Sequence, residues 1–310
     1  MFDIYRYTED KQTEWDAYVA RSKNGTFLLR RGYMEYHSDR FADCSLMFYL
    51  RGKLYALLPA NVKGTTLFSH QGLTYGGLVM NEKCCAAEVL KLFEEMNKWL
   101  KNKGINKVVY KPIPYIYSTQ PAEEDQYALF RCGAQVTARG ISTCIDLTSP
   151  IKWRQNRRTA LNKAMAEQVA VSISDDLETF WLILEENLMT AHGVKPVHSV
   201  AEMRLLKERF PDNIILYTAK NRRGKVIAGI LLYRTPQVIH SQYISATEEG
   251  KATGAIDAIM QEIVGLNGKY FDFGISTEQD GRFLNESLIF QKEGFGGRGI
   301  CYDTYEYSIS

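Results

Sequence analysis

The chain has 310 residues, 45% of them hydrophobic and 12% aromatic, with 38 basic against 36 acidic side chains and a net charge of +2. That length suits two domains with separate cores, and the near balance of charge excludes the broad basic footprint of a DNA-binding protein. The six cysteines (Cys44, Cys84, Cys85, Cys132, Cys144, Cys301) form no C-x-x-C pair, and the five histidines show no ligand spacing on a common element, so no disulfide framework and no metal are expected.

The N-terminal Met1-Phe2-Asp3-Ile4-Tyr5-Arg6 is not a basic segment followed by an apolar run, and no stretch of about 18 apolar residues occurs. A cytoplasmic protein without a membrane span is expected. Ser45 to Leu50 and Lys53 to Val62 read as strands joined by the hairpin turn Arg51-Gly52. Val89, Leu92, Phe93, Met96 and Leu100 recur at helical spacing, Lys103-Gly104 closes that helix, and Lys107 to Lys111 reads as a strand. Val136 to Leu147 is a further strand, and Pro150 marks the expected seam between domains 1–149 and 150–310.

The second half opens with a helix over Trp153 to Ala166 and a strand over Val169 to Ser174. Asp175, three residues before Glu178, suggests a capping box for a helix that buries Leu177, Phe180, Trp181, Leu184 and Leu188. Glu202 to Phe210 is a shorter helix. Strands follow at Ile214 to Lys220, Val226 to Tyr233 and Val238 to Ile244, then a helix carrying Ile256, Ile259, Met260, Ile263 and Val264. Tyr270 to Gly274 is a short strand, Phe283 to Lys292 a helix, and Tyr302 to Ile309 the closing strand. The fold class is therefore α+β, with a mixed but mostly antiparallel sheet flanked by helices in each of two related domains.

Four segments carry candidate chemistry. The stretch Tyr243 to Val264 reads as strand, glycine-bearing loop and helix, a place where exposed backbone N–H groups can meet a phosphate. Arg154, Arg157 and Arg158 stand at i, i+3 and i+4, so one helix face would present them to an anion. Gly72, Gly76 and Gly77 flank Tyr75 and follow His70, a residue able to act as a base near neutral pH. The fourth is the tail from Phe271 to Gly296. No G-x-S-x-G elbow is present, and Asp272-Phe273-Gly274 lacks the other kinase elements.

The tail carries a resemblance. Phe271-Asp272-Phe273-Gly274, followed by Asn285 through Lys292-Glu293-Gly294-Phe295-Gly296, resembles the end of the Fem family of peptidoglycan aminoacyltransferases, with its D-x-x-G-like strand end and F-K-x-x-F-G element. Lys292, Phe295 and Gly296 match that element, while Gln291 replaces its first Phe. Arg154 to Ala164 is similar to the family's basic helix at the start of the second domain. The resemblance implies two tandem GNAT-like domains, with strands Val238–Ile244 and Tyr270–Gly274 splayed to take a pantetheine arm. It also implies acyl transfer, with acetyl-CoA or another acyl-CoA as donor and a small-molecule or peptide-like amine as acceptor. No segment matches the family's long helical arm, which counts against tRNA as a partner.

By that resemblance Lys292 supplies charge near the reacting acyl group, with Asp272, Glu248 and His70 as candidate bases. Tyr243, Ser245, Gly250, Thr253, Gly254 and Ala255 would hold the cofactor, and Arg154, Arg157, Arg158, Tyr75 and Phe295 the substrate. The Tyr243–Val264 loop is similar to the GNAT pyrophosphate loop, with Glu249 in its Gln/Arg place and Ala252 in its first Gly place. Two rival readings stand beside acyl-CoA transfer: a Fem-like aminoacyltransferase using aminoacyl-tRNA on a cell-wall precursor, and a catalytically degenerate pair that only binds a ligand.

Overall fold

Strand β1 (Phe2–Arg6) leads into helices α1 (Gln12–Arg21) and α2 (Arg31–Met34) and five short strands. These are β2 (Ala42–Asp43), β3 (Leu46–Leu50), β4 (Lys53–Leu58), β5 (Asn61–Lys63) and β6 (Thr66–Phe68), before β7 (Val79–Met80). The hairpin between β3 and β4 turns through Arg51 and Gly52, both at positive φ, as a tight two-residue connection requires. The single strand expected from Lys53 to Val62 is two, because Pro59 offers no N–H to a ladder and ends β4 at Leu58. Helix α3 (Ala86–Asn102) buries Val89, Leu92, Phe93, Met96 and Leu100, each contributing about 2 kcal/mol of transfer free energy. Strand β8 (Lys107–Tyr110), helix α4 (Glu124–Arg131) and strand β9 (Gln135–Asp146) follow.

The chain continues as α5 (Gln155–Ala166), β10 (Ala170–Ser174), α6 (Leu177–His192) and α7 (Val200–Arg209). Strands β11 (Ile214–Lys220), β12 (Val226–Arg234) and β13 (Val238–Ala246) come next, then α8 (Glu248–Thr253), α9 (Ala255–Ile263) and β14 (Tyr270–Ile275). The end comprises β15 (Thr277–Glu278), β16 (Phe283–Leu284), α10 (Glu286–Gly294) and β17 (Arg298–Ser308). Two caps differ from expectation. Asp176, not Asp175, accepts the Thr179 N–H at the start of α6, and the capping box belongs to Ser199 and Glu202 at the start of α7. Helix α10 begins at Glu286 rather than Phe283 because Asn285 caps it, its side chain accepting from Leu288 N.

This computed structural model describes residues 1–309, and only the backbone of His192. The chain divides into two compact units, one of Met1–Gly140, Thr277–Phe283 and the residues from Cys301 onward, the other of Ile141–Ser276 and Leu284–Ile300. The seam expected at Pro150 thus falls inside the second unit. The division lies within β9, just after Gly140, and a lone glycine inside a strand does not read as a domain boundary. Unit 1 contains the sheet β1-β3-β4-β7 and the strand run β17-β8-β6-β5-β2, with Tyr307 of β17 buried in the same core as the apolar face of α3. Unit 2 contains the run β10-β11-β12-β13-β14-β9, antiparallel except where β13 meets β14. Its core packs Ile227, Ile230 and Leu232 of β12 against Ile259, Met260 and Ile263 of α9, with Phe271, Phe273 and Phe295.

Candidate functional site

The geometry that matters lies in unit 2, where β13 and β14 part. They pair at three positions only: Val238 with Tyr270, Ile239 with Phe271, and His240 with Asp272. Beyond His240 two devices separate them. A bulge opposite Leu231 and Leu232 leaves Gln242 without a register partner, which bends β13. Gly274, at φ +77°, redirects β14, a left-handed backbone that suits glycine. Beyond this point no ladder pair joins the two strands among the described residues.

A cavity of about 610 Å³ opens beside the split. Its walls are Ile244, Ser245 and Ala246 from β13, Leu184, Asn187 and Leu188 from α6, and Gly250, Lys251, Gly254 and Asp257 from α8 and α9. Phe273, Lys292 and Phe295 complete it. Asn187 donates to Ser245 Oγ at 2.7 Å and to the Ala246 carbonyl at 2.8 Å, so α6 holds the end of β13. Lys292, on α10, donates to the carbonyls of Gly274 (2.8 Å) and Ile275 (2.9 Å) and to Ser276 Oγ (2.9 Å). An ammonium has three N–H bonds, and these use them all. Burial pulls Lys292 down to about 8, with the nearby Asp272 charge opposing that shift.

Asp272 is fully buried. Its carboxylate accepts from Ser142 Oγ, from Gly274 N at 3.2 Å and from His240 Nδ1 at 2.9 Å. Arg157 reaches Asp257 at 3.5 Å, donates to the Gln291 carbonyl at 3.3 Å and lies over the Phe295 ring. Burial raises Asp257, and Arg157 opposes that rise.

Three solved structures align along nearly the whole chain. One, named FemX, superposes with a TM-score of 0.70 at 11% identity, covering 99% of this chain and 97% of its own. The L-PGS structure from Bacillus licheniformis gives 0.63 at 14% identity, covering 97% and 92%. A tandem GNAT protein from the clavulanic acid biosynthesis pathway gives 0.52 at 8% identity, covering 100% and 99%. The chain has the Fem-like, tandem GNAT fold. At these identities the likeness is one of fold. No family model matches the sequence, and no curated protein matches it.

Within the Fem-like fold, the residues singled out from sequence fall into separate places. Tyr243 points to α6 and the segment before α7: its hydroxyl meets His198 Nδ1 at 2.7 Å and its ring packs edge-on against Trp181. Ser245 and Gly254 line the cavity, but the glycines serve packing. A Cβ on Gly250 would lie 2.1 Å from the Ile227 carbonyl oxygen, and one on Gly254 2.2 Å from that of Ala160. Thr253 lines a different cavity of about 410 Å³ with Arg222, Arg223 and Lys225, and Ala255 is buried in the core. Where a glycine-rich loop was expected, α8 starts directly after β13. Thr247 caps it by accepting from Gly250 N at 3.1 Å, and Glu248 and Glu249 occupy its first turn. Glu248 is exposed and paired with Lys251 at 2.6 Å.

Arg154 and Arg157 both lie against α10 and its end, over the Phe290 and Phe295 rings, while Arg158 turns elsewhere. Arg154 is the extended N-cap residue, so helical spacing does not apply from it. It pairs with Glu293 at 3.1 Å, Arg157 pairs with Asp257, and Arg158 lines a separate cavity of about 590 Å³ with Trp153 and Leu161. Phe295 forms a wall of both that cavity and the groove. His70 and Tyr75 belong to unit 1 and are buried there; Tyr75 donates to Thr26 Oγ1 at 3.1 Å, and burial drives His70 down to about 3. His240, Asn187 and Asp257 were not anticipated. His240 precedes the split by nothing but a strand register, which the sequence does not display.

Proposed function

We propose that unit 2 transfers an acyl group from an activated donor to an amine inside the groove between β13 and β14. The observation that carries this reading is the early end of the β13–β14 ladder beside a walled cavity. Unpaired strand edges can take the amides of a pantetheine-like arm in extended conformation, and the apolar walls Leu184, Ile244 and Phe273 exclude water. Attack is direct. Ser245 Oγ is already bonded to Asn187 and the Ile183 carbonyl, and burial raises the Cys144 thiol above its ordinary range, so neither suits a nucleophile. The acceptor is a small or peptide-like amine.

The donor's far end is where acyl-CoA fits poorly. A pyrophosphate at the start of α8 would face Glu248 and Glu249, and the Gly250 N–H there is already taken by Thr247. That acidic, self-capped helix start favours a second reading, in which the donor is an aminoacyl ester as in the Fem family. A thermal-shift panel of acetyl-CoA, CoA, S-acetylpantetheine and aminoacyl-tRNA separates the two. At a hundredfold excess over Kd a ligand adds about 2.7 kcal/mol. S-Acetylpantetheine and acetyl-CoA are expected to shift the protein equally, because the pyrophosphate gains nothing at α8. A shift with aminoacyl-tRNA alone would select the second reading, and no shift with any of the four would remove acyl transfer from this groove.

A further inference from the structure

An amine that attacks an acyl carbonyl must first lose a proton, because alkylamines are ammonium ions at neutral pH. The groove walls, the helix start beside them and the last β13–β14 ladder pair hold few groups able to take it. Lys292 is a donor with all three N–H bonds engaged, Asp257 is paired with Arg157, and Glu248 is exposed beside Lys251. Asp272 is buried and accepts three hydrogen bonds. His240 is different. Its Nδ1 is 2.9 Å from Asp272 Oδ2, while its side chain keeps 14% of its surface accessible and its Nε2 has no partner among the described residues.

We propose that His240 is the base that deprotonates the attacking amine, with Asp272 as its positioning residue. This rests on the acyl-transfer reading above. A buried carboxylate beside an imidazole accepts the Nδ1–H and leaves Nε2 as the basic atom. Ser142 and the Gly274 N–H fix the other carboxylate oxygen, so Asp272 cannot turn away from the ring. The pair sits at the last ladder position before β13 and β14 separate, the point where a thioester or ester threaded between them would end. Gly274 lies beside the ring: a Cβ there would stand 3.4 Å from His240 Cε1, in van der Waals contact with it.

The proton count closes. The substrate ammonium gives one proton to His240 Nε2, and the freed lone pair forms the C–N bond at the acyl carbon. The bond from that carbon to the donor sulfur or oxygen breaks with its electron pair, and the second N–H proton passes to the leaving atom. The imidazolium then releases its proton to water. The charged and titratable groups around the ring are Asp272 on β14, Lys292 on α10 behind the Gly274 carbonyl, Cys144 on β9 beside Asp272, and Tyr233, the register partner of His240 on β12.

Two measurements test the assignment. Nitrogen-15 NMR of the imidazole at neutral pH should find His240 protonated at Nδ1 and bare at Nε2, with that preference lost in Asp272→Asn. Finding the proton on Nε2 in the native protein would overturn the proposal whatever the enzyme transfers. In kinetics with S-acetylpantetheine, His240→Asn retains a donor toward Asp272 and removes the base. With n-butylamine as acceptor the rate at neutral pH should fall about a hundredfold or more and recover as pH rises, whereas hydroxylamine, already unprotonated, should lose little. An equal loss with both amines, or none with either, would reduce His240 to a structural residue. Absence of transfer by the native protein would count against the acyl-transfer reading, and the tautomer measurement would still decide the pair.

Discussion

Lys292 illustrates how a residue's chemistry depends on what surrounds it. The resemblance assigned it as a charge near the reacting centre, and it does border the groove. Its three donors, however, end on Gly274 O, Ile275 O and Ser276 Oγ, so its ammonium holds the redirected end of β14 in place. Lys292→Met should leave those buried acceptors unpaired and cost about 2 kcal/mol. Denaturant titration at neutral pH checks this, and a cost near zero would mean that the ammonium is not satisfying them. Lys292→Arg should not rescue the loss, because three convergent acceptors suit a compact ammonium and not a planar fork.

At the scale of elements, the junction between α8 and α9 carries the tightest packing constraint near the groove. Gly254 ends α8 at φ +76°, and α5 lies so close that a Cβ there would stand 2.2 Å from the Ala160 carbonyl oxygen. Gly224, in the turn between β11 and β12, has a similar φ of +77°, but a Cβ there would meet nothing within 4 Å. Comparing Gly254→Ala with Gly224→Ala separates backbone conformation from close approach. The Gly224 change should cost about 1 kcal/mol, the left-handed penalty alone. The Gly254 change should cost about 3 kcal/mol, since α5 or the junction must also move. Equal losses by equilibrium unfolding would show that α5 yields freely.

At the scale of the whole molecule, unit 1 carries a built-in acid sensitivity. His37 and His70 are buried with their rings 5.4 Å apart, and burial lowers both, His70 to about 3 with His37 adding to its shift. In the unfolded chain each would titrate near 6.5. Below that value the unfolded chain takes up protons that the folded chain refuses, so stability is present above about pH 6.5 and falls as pH drops toward 3. For His70 the slope is about 1.4 kcal/mol per pH unit, and His37 adds to it in the same direction. His70→Gln should flatten this slope between mildly acidic and neutral pH, as measured by denaturant midpoints. An unchanged slope would place the acid sensitivity elsewhere.

The sequence by itself determined the elements and their faces. The stripe Val89, Leu92, Phe93, Met96 and Leu100, the hairpin at Arg51-Gly52 and the strand succession from Ile214 to Ile244 all follow from periodicities of 3.6 and 2 and from turn chemistry. The spacing in the tail also carried the likeness to the Fem-like fold, because a strand end and the helix after it keep their order in the chain. Tertiary structure decided everything that depends on register and approach. It paired His240 with Asp272 across 32 residues of sequence, set Arg154 and Arg157 against α10 but turned Arg158 to a separate cavity, and returned the chain from Cys301 onward to unit 1. Local preference is written in neighbouring residues, whereas a shared site is set by which strands pair and where they stop pairing.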